Sequence, residues 1–512
     1  MTLFFNDQGG RDMLKAGVQV KLPDGECILI FADIAIAIAD EAALHYMYGC
    51  KGASGLKPCL LCFNVYNHKI DRKIVENDKT KQSVYHTEEE IDRCKFITTD
   101  ILHAICNKLK VSHVNLSSTA FGELETRLGW KYEPNGVMFS AFSRRLCPSK
   151  IAVFDSTHVL FVNGIFNHHA GHLLTNLRNL NIKPNVVGAY VSLWNYPAQI
   201  SSAFQPRDVF AEARMRSSMA KGQLKCTASE GLSLVPVLAN YCEGLLKHPS
   251  NDVRRHAQLF LDLARIVSQI LRAGGRKLMD KAVLHSRVTR YITSYKAVYT
   301  AEEVFPKFHQ LAHLPKFPFD QLPNCFVHER KHKNIKKFAN PVFNTAHDWD
   351  ASILREVTSL HIERLATADR TLFSEQASLV NPREPSRTMK QSIIDVLGNE
   401  FASATLRTSR TARVHKFEHA SVGDIVLVGH ADPPVIGRIV YHISVQTDEL
   451  IELVSLVEEF MVIEVQKRCW KCKATDTQTL FDMSDIVCSL TWAGTDVLSV
   501  LKPLHALPFV GI

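Results

Sequence analysis

A chain of 512 residues has room for two to four domains and a substantial apolar core. With 46% hydrophobic and 22% charged residues it is a folding chain, not a disordered one, and a formal net charge of +8 is compatible with a nucleic-acid partner without requiring one. The longest apolar run, residues 28–39, contains Asp33 and is too short to span a bilayer. No signal-peptide pattern opens the chain, which argues against secretion and against a membrane partner. Thirteen cysteines, an odd number with only two close pairs, point to a reducing compartment and one metal site, not a disulfide framework.

In chain order, Pro23-Asp24-Gly25 is a turn signal, and the apolar run after it predicts a strand leading to Asp33. Ala42–Cys50 predicts a turn or two of helix, residues 51–58 a Gly-rich loop, and residues 64–100 an exposed polar insertion. Asp100–Leu109 and Ile165–Leu180 have helical period. Ile151–Phe154 and Val186–Trp194 are strand candidates. From Glu230 onward Leu232–Leu246, Val253–Leu271 and Val283–Tyr299 predict helices. Residues 305–326, rich in Pro, Phe and His, predict irregular backbone. Ile353–Ala366 and Met389–Phe401 predict further helices, and residues 403–414 a small basic linker. Beyond residue 415, short β-branched runs separated by turns predict a small β-barrel.

Three acids stand out. Asp33 lies inside an apolar run, where an ionised carboxylate is costly unless paired or metal-bound. Asp155 ends a strand in the pattern D-x-x-H with His158, the place where α/β sheets put their chemistry, although an Asp there can also simply cap the next turn or helix. Glu230 opens a helix, and Thr227-x-x-Glu230 is a capping box that explains it structurally. An acid in one strand, an acid ending another and an acid on a helix can together hold two divalent cations, Mg²⁺ or Mn²⁺, for phosphodiester chemistry. Glu329, within the basic cluster HERKHKNIKK, is the other candidate for the third position.

Cys59 and Cys62 form P-C-L-L-C, two soft donors on one tight loop, as tetrahedral zinc requires. His86 with Cys50 or Cys94 would complete the set. Cys469 and Cys472, in RCWKCK, have no such neighbours and read as structural cysteines. A zinc hydrolase using His158, His168, His169 and His172 is a further reading whose spacing fits no zinc motif well.

The stretch FADIAIAIADEAALHYMYGCKGASGLKPCLLC resembles the first-acid block of cut-and-paste transposases of the CACTA type and their relatives. FDSTHVLFVNGIFN resembles their D-x-x-H block, and PKFHQLAHLP followed by CFVHERKHKNIKKF resembles a later block of spaced histidines and lysines. The likeness covers roughly residues 28–345 in block order. It implies a ribonuclease-H-like core with a DDE triad. Asp33 would be the first acid, Asp155 the second, with His158 orienting a carboxylate or a DNA phosphate, and Glu230 or Glu329 the third. It also implies zinc on Cys59 and Cys62, a histidine match at His86, and a nuclear location. The chain opens almost directly on the first strand, as a truncated or degenerate copy would.

The expected organisation is α/β: a ribonuclease-H-like core over 1–245 with a zinc-bearing insertion at about 45–130, a helical region over 246–405, and a β-barrel over 406–512. Glu230 is preferred as third acid because it opens the first helix after the last strand candidate, Val186–Trp194. Lys331, Lys333, Lys336 and Lys337 would contact the DNA backbone without reading sequence. The expected activity is metal-dependent strand cleavage and transfer, in a chain that could self-associate. The alternative is an inactive transposon-derived protein that binds DNA, or binds chromatin proteins through its C-terminal module.

Overall fold

The computed structural model describes residues 17–21, 25–31, 36–67, 84–85, 91–140, 146–201, 206–273, 279–317, 322, 355–359, 377–415, 418–429, 434–447 and 450–503. Its fold is mixed α/β with a large antiparallel sheet. The chain divides into two compact units, Met1–Val159 with Val288–Cys325, and Leu160–Arg287 with Phe326–Ile512.

In the first unit, β1 (Val18–Lys21) and β2 (Cys27–Ile30) pair antiparallel, and β2 is part of the strand expected after the Pro-Asp-Gly signal. Gly25 takes a positive φ of 91° in its turn, a conformation that costs glycine nothing. Next comes β3 (Ala37–Ala39). Asp40 caps the helix Glu41–Tyr48, its Oδ1 accepting from the Ala43 amide at 2.6 Å, and Gly49 closes that helix in the left-handed region. A short parallel pair follows, β4 (Val65–Tyr66) with β5 (Val84–Tyr85). Helices Thr99–Asn115 and Ser118–Leu128 are capped by Thr98 and Ser117. Strand β6 (Ala152–Phe154) pairs in parallel with β3, Ala39 opposite Phe154, and is buried throughout. A continuous apolar run suits a parallel strand covered on both faces.

Residues 306–313, expected to be irregular, form the helix Pro306–His313. Proline is tolerated at its first position, where the missing N–H has no partner to lose. Phe308 packs against Tyr291 and Tyr295 with ring centroids 6.1 and 4.6 Å apart, so tertiary burial holds a helix too short to stand alone.

In the second unit, helices Ile165–Asn179, Ala228–Leu245 and Asn251–Ala273 bury their apolar faces together. Gly231 lies where an added Cβ would come within 3.0 Å of Phe161 and 3.1 Å of Phe166, so its smallness lets the helix approach those rings. The strand expected over Val186–Trp194 is the helix Pro184–Ser192. Its β-branched residues mimic a strand in composition, but Pro184 starts a helix and Val187 and Val191 are buried at i, i+4.

The C-terminal region contains β7 (Ser378–Val380), β8 (Thr405–Ser409), β9 (Thr411–His415), β10 (Glu418–Ser421), β11 (Ile425–Val428), β12 (Val435–Gln446), β13 (Ile451–Val465), β14 (Cys469–Asp482), β15 (Ile486–Leu490), β16 (Trp492–Ala493) and β17 (Val497–Leu501). The stretch expected as a linker, 403–414, is therefore mostly β8 and β9. The expected barrel is an open sheet in the order β15-β11-β12-β13-β14-β17-β16, with β8 also on β12 and a separate sheet β10-β9-β7. Register shifts in β12 and β13 curl the long strands, and different stretches of them feed separate apolar clusters around Trp470, Met483 and Ile394. This sheet is tied to the helices of its own unit. Asn195 and Trp492 exchange backbone hydrogen bonds, the Asp424 carboxylate accepts from the Ala198 amide at 2.8 Å, and Arg468 pairs with Glu243 at 3.1 Å.

Candidate metal centre

The sequence of the first unit puts Cys59 and Cys62 on the loop after Pro58, with the Leu61 amide donating to Cys59 Sγ at 3.3 Å. That bond favours a thiolate at Cys59. The other two donors come from the helix Pro306–His313, where His309 and His313 lie at i, i+4 and so share a face. His313 Nε2 lies 3.4 Å from both Cys59 Sγ and Cys62 Sγ, and 2.9 Å from His309 Nε2. All four donor atoms lie within 4.8 Å of one another and all four residues are buried. A tetrahedral zinc site has donor–donor edges of roughly 3.3–3.8 Å, which follow from its bond lengths. The group could therefore hold a metal such as zinc, once its donors shift by up to about 1 Å towards those edges. The rings of Phe96 and Phe154 lie 5.3 and 6.2 Å from the His313 ring.

Without a metal, protons organise these groups. Burial would raise the Cys59 pKa, but the hydrogen bond from Cys62 and the two imidazoles outweigh it and hold Cys59 well below the usual thiol range. Burial and the neighbouring sulfurs push Cys62 well up. Burial alone would lower His309, yet the Cys59 and Cys94 sulfurs raise it to about 10. Cys94 is hydrogen-bonded with Cys62 and His309, and the first of these bonds does most to bring it down to about 5. These shifts favour a thiolate at Cys59 beside an imidazolium at His309, the charge pattern that a metal bound to thiolates would replace.

Of the ligands expected from sequence, Cys59 and Cys62 come together. Cys50 is not in the group; it is buried in a bridge with Trp130, and burial pushes its thiol up to about 12. Cys94 adjoins the group as a hydrogen-bond partner, and His86 lies outside the described residues. His309 and His313 escape sequence reading because the Pro, Phe and His content of their stretch predicts irregular backbone. On a helix, H-x-x-x-H shows them as a pair. Among the described residues, His158, His168, His169 and His172 form no such cluster. Cys469 and Cys472 are buried in β14, with Cys472 pushed up to about 11 by burial, as structural cysteines are.

The acids fare differently. Asp155 follows β6 and is almost wholly buried. Its Oδ1 accepts from the Thr157 amide at 3.3 Å, its Oδ2 from the His158 amide at 3.0 Å, and Oδ2 meets His158 Nδ1 at 2.5 Å. It thus caps the helix Ser156–Leu160 and also fixes the His158 ring. The parallel register, Ala39 opposite Phe154, makes Asp40 the counterpart of Asp155 at the carboxyl ends of β3 and β6. Local sequence marks Asp40 only as a helix start, and it is one, but it is also the acid at the neighbouring strand end. Lys307 joins this end: its Nζ donates to the His158 carbonyl at 2.9 Å. Burial lowers the Lys307 pKa against the opposing pull of Glu41, Asp40 and Asp155.

Asp33, Glu329, Lys331, Lys333, Lys336 and Lys337 lie outside the described residues. Glu230, in the second unit, completes the capping box with Thr227 and receives Arg214 at 3.3 and 2.7 Å on its two oxygens. The topological argument for Glu230 loses its premise, because Val186–Trp194 is not a strand. Among the described residues no three carboxylates meet as a metal-ligating group. Comparison with family models, with curated proteins and with solved structures finds no match.

Proposed function

We propose that this chain is a transposase-like DNA-processing protein with a ribonuclease-H-like core, in which a structural zinc ion on Cys59, Cys62, His309 and His313 secures a carboxylate site for Mg²⁺ or Mn²⁺. The observation that supports the reading is that Asp40 and Asp155 each directly follow the last paired residues, Ala39 and Phe154, of two adjacent parallel strands. Two such carboxylates can share a divalent cation, which activates a water or a 3′-hydroxyl and stabilises the leaving oxygen of a phosphodiester. His158, oriented through Asp155, would serve a phosphate or a water through its other ring nitrogen. DNA, with the nucleus as compartment, is the expected partner, on the strength of the block order seen in the sequence.

A second reading, an inactive transposon-derived protein that binds DNA or chromatin, draws on the engagement of Glu230. With Arg214 and Thr227 on its oxygens, that acid is already engaged by an arginine and by its own helix cap, which favours Glu329 as the third carboxylate or an incomplete triad. Cleavage of plasmid DNA in Mn²⁺ by the wild type and by Asp33→Asn, Asp40→Asn, Asp155→Asn, Glu230→Gln and Glu329→Gln decides between them. Loss of cleavage in Asp40→Asn and Asp155→Asn supports the catalytic reading. An inactive Asp33→Asn beside an unaffected Asp40→Asn returns the first position to Asp33. A wild type that binds DNA but never cuts it establishes the second reading.

A further inference from the structure

The helix Pro306–His313 carries more than the two imidazoles. Successive residues of an α-helix turn by about 100°. His309 and His313 are therefore about 40° apart in projection, while Lys307 points about 160° away from His309, to the other side. On that side Lys307 Nζ donates to the carbonyl of His158 at 2.9 Å, and Asp155, Asp40 and Glu41 are the acids whose charge it feels. One rigid element of eight residues thus has the cysteine loop on one flank and the Asp155–His158 turn on the other.

We propose that Lys307 is a positioning residue through which the metal centre holds the carboxylate end of the strands in place. Zinc would lock the helix by His309 and His313. The locked helix would then hold the Lys307 ammonium against the first turn of the helix Ser156–Leu160, where the Thr157 and His158 amides close on Asp155. Lys307 lends a charge-assisted bond to the His158 carbonyl and brings a positive charge towards Glu41, Asp40 and Asp155. No direct contact between Lys307 and the thiol–imidazole group is needed. The inference rests on the zinc reading of that group, and its test separates the two.

The test is hydrogen–deuterium exchange of the zinc-loaded full-length protein, followed by mass spectrometry, on peptides that cover residues 151–160, with zinc content measured on the same samples. Lys307→Met is expected to keep one zinc per chain and to exchange around His158 about tenfold faster, the loss of one charge-assisted hydrogen bond. Lys307→Arg is expected to exchange like the wild type. Stripping zinc from the wild type with a chelator is expected to bring the same acceleration. An absence of zinc in the wild type would overturn the metal reading. Zinc at one per chain with unchanged exchange in Lys307→Met would overturn the role of Lys307 alone. Exchange in Lys307→Arg as fast as in Lys307→Met would also overturn it, because the cationic bond would then not be the link.

Discussion

Cys59 and His313 are 254 residues apart in sequence, yet Sγ and Nε2 lie 3.4 Å apart. Closing so long a loop costs entropy that a bare thiol–imidazole contact repays poorly, whereas a metal bonded to both ends would offset much more of it. The polar cluster is also wholly buried, and burial without an ion to bind its donors is an expensive way to build a core.

Metal analysis and cobalt substitution check the centre directly. Purified protein should carry one zinc per chain, and the cobalt form should show thiolate charge-transfer absorption. Replacing Cys59, Cys62, His309 or His313 by Ala should weaken zinc binding by more than about a hundredfold, since even second-sphere changes cost about 10–100-fold. Cys50→Ser should leave zinc in place. Cys94→Ser should cost roughly tenfold, as loss of a partner to Cys62 and His309 would. Full occupancy in Cys59→Ala would rule the centre out.

The pH dependence of zinc affinity is set by the protons that the metal-free cluster holds. His309 is raised to about 10 and Cys62 is raised well above the ordinary thiol value, so at neutral pH both bear protons that zinc displaces. The free form then binds more protons than the loaded form, and affinity must rise with pH. Competition titrations with a chelator between pH 6 and 8 should give a steepening of roughly tenfold per pH unit for each proton released. A flat profile would contradict the protonated cluster.

Glu230 should behave as a structural carboxylate. Its pKa is lowered, with the hydrogen bonds from Arg214 and Thr227 overcoming the opposing effect of burial. Such a group adds stability above the ordinary carboxylate range and loses it as pH falls through the lowered folded value. Glu230→Gln should therefore destabilise the protein by about 1 kcal/mol, the scale of a lost cap. The loss should be seen in denaturant melts at pH 7 and shrink towards pH 3. No change in stability, together with abolished DNA cleavage, would restore Glu230 to the catalytic site.

Limited proteolysis should not liberate residues 415–512 as a folded fragment. Residues 405–409 are a strand paired to β12, and Asp424 and Trp492 bond to the 195–198 segment of the same unit. Asp424→Ala, which breaks the bond to the Ala198 amide, should increase cleavage within 403–425. Clean release of a stable C-terminal fragment from the wild type would mean that the sheet is independent after all.

Much of the local structure was legible in the sequence because local rules wrote it. The strand after the Pro-Asp-Gly signal, the apolar strand before Asp155, the capping box of Thr227 and Glu230, and the helical period of 253–271 all act over a few residues. The C-x-x-C loop likewise marked, by itself, two members of the group that could hold a metal. Where composition and geometry diverge, local reading failed: Val186–Trp194 is β-rich in residue type but helical from Pro184 onward, and 306–313 is a helix because Phe308 is buried against Tyr291 and Tyr295. Tertiary structure alone decided that His309 and His313 complete the cysteine pair and that Lys307 reaches His158. It also decided that Asp40 is the neighbour of Asp155. Each of these depends on parallel pairing or on a long loop closure, and residue spacing carries no record of which distant segments will meet.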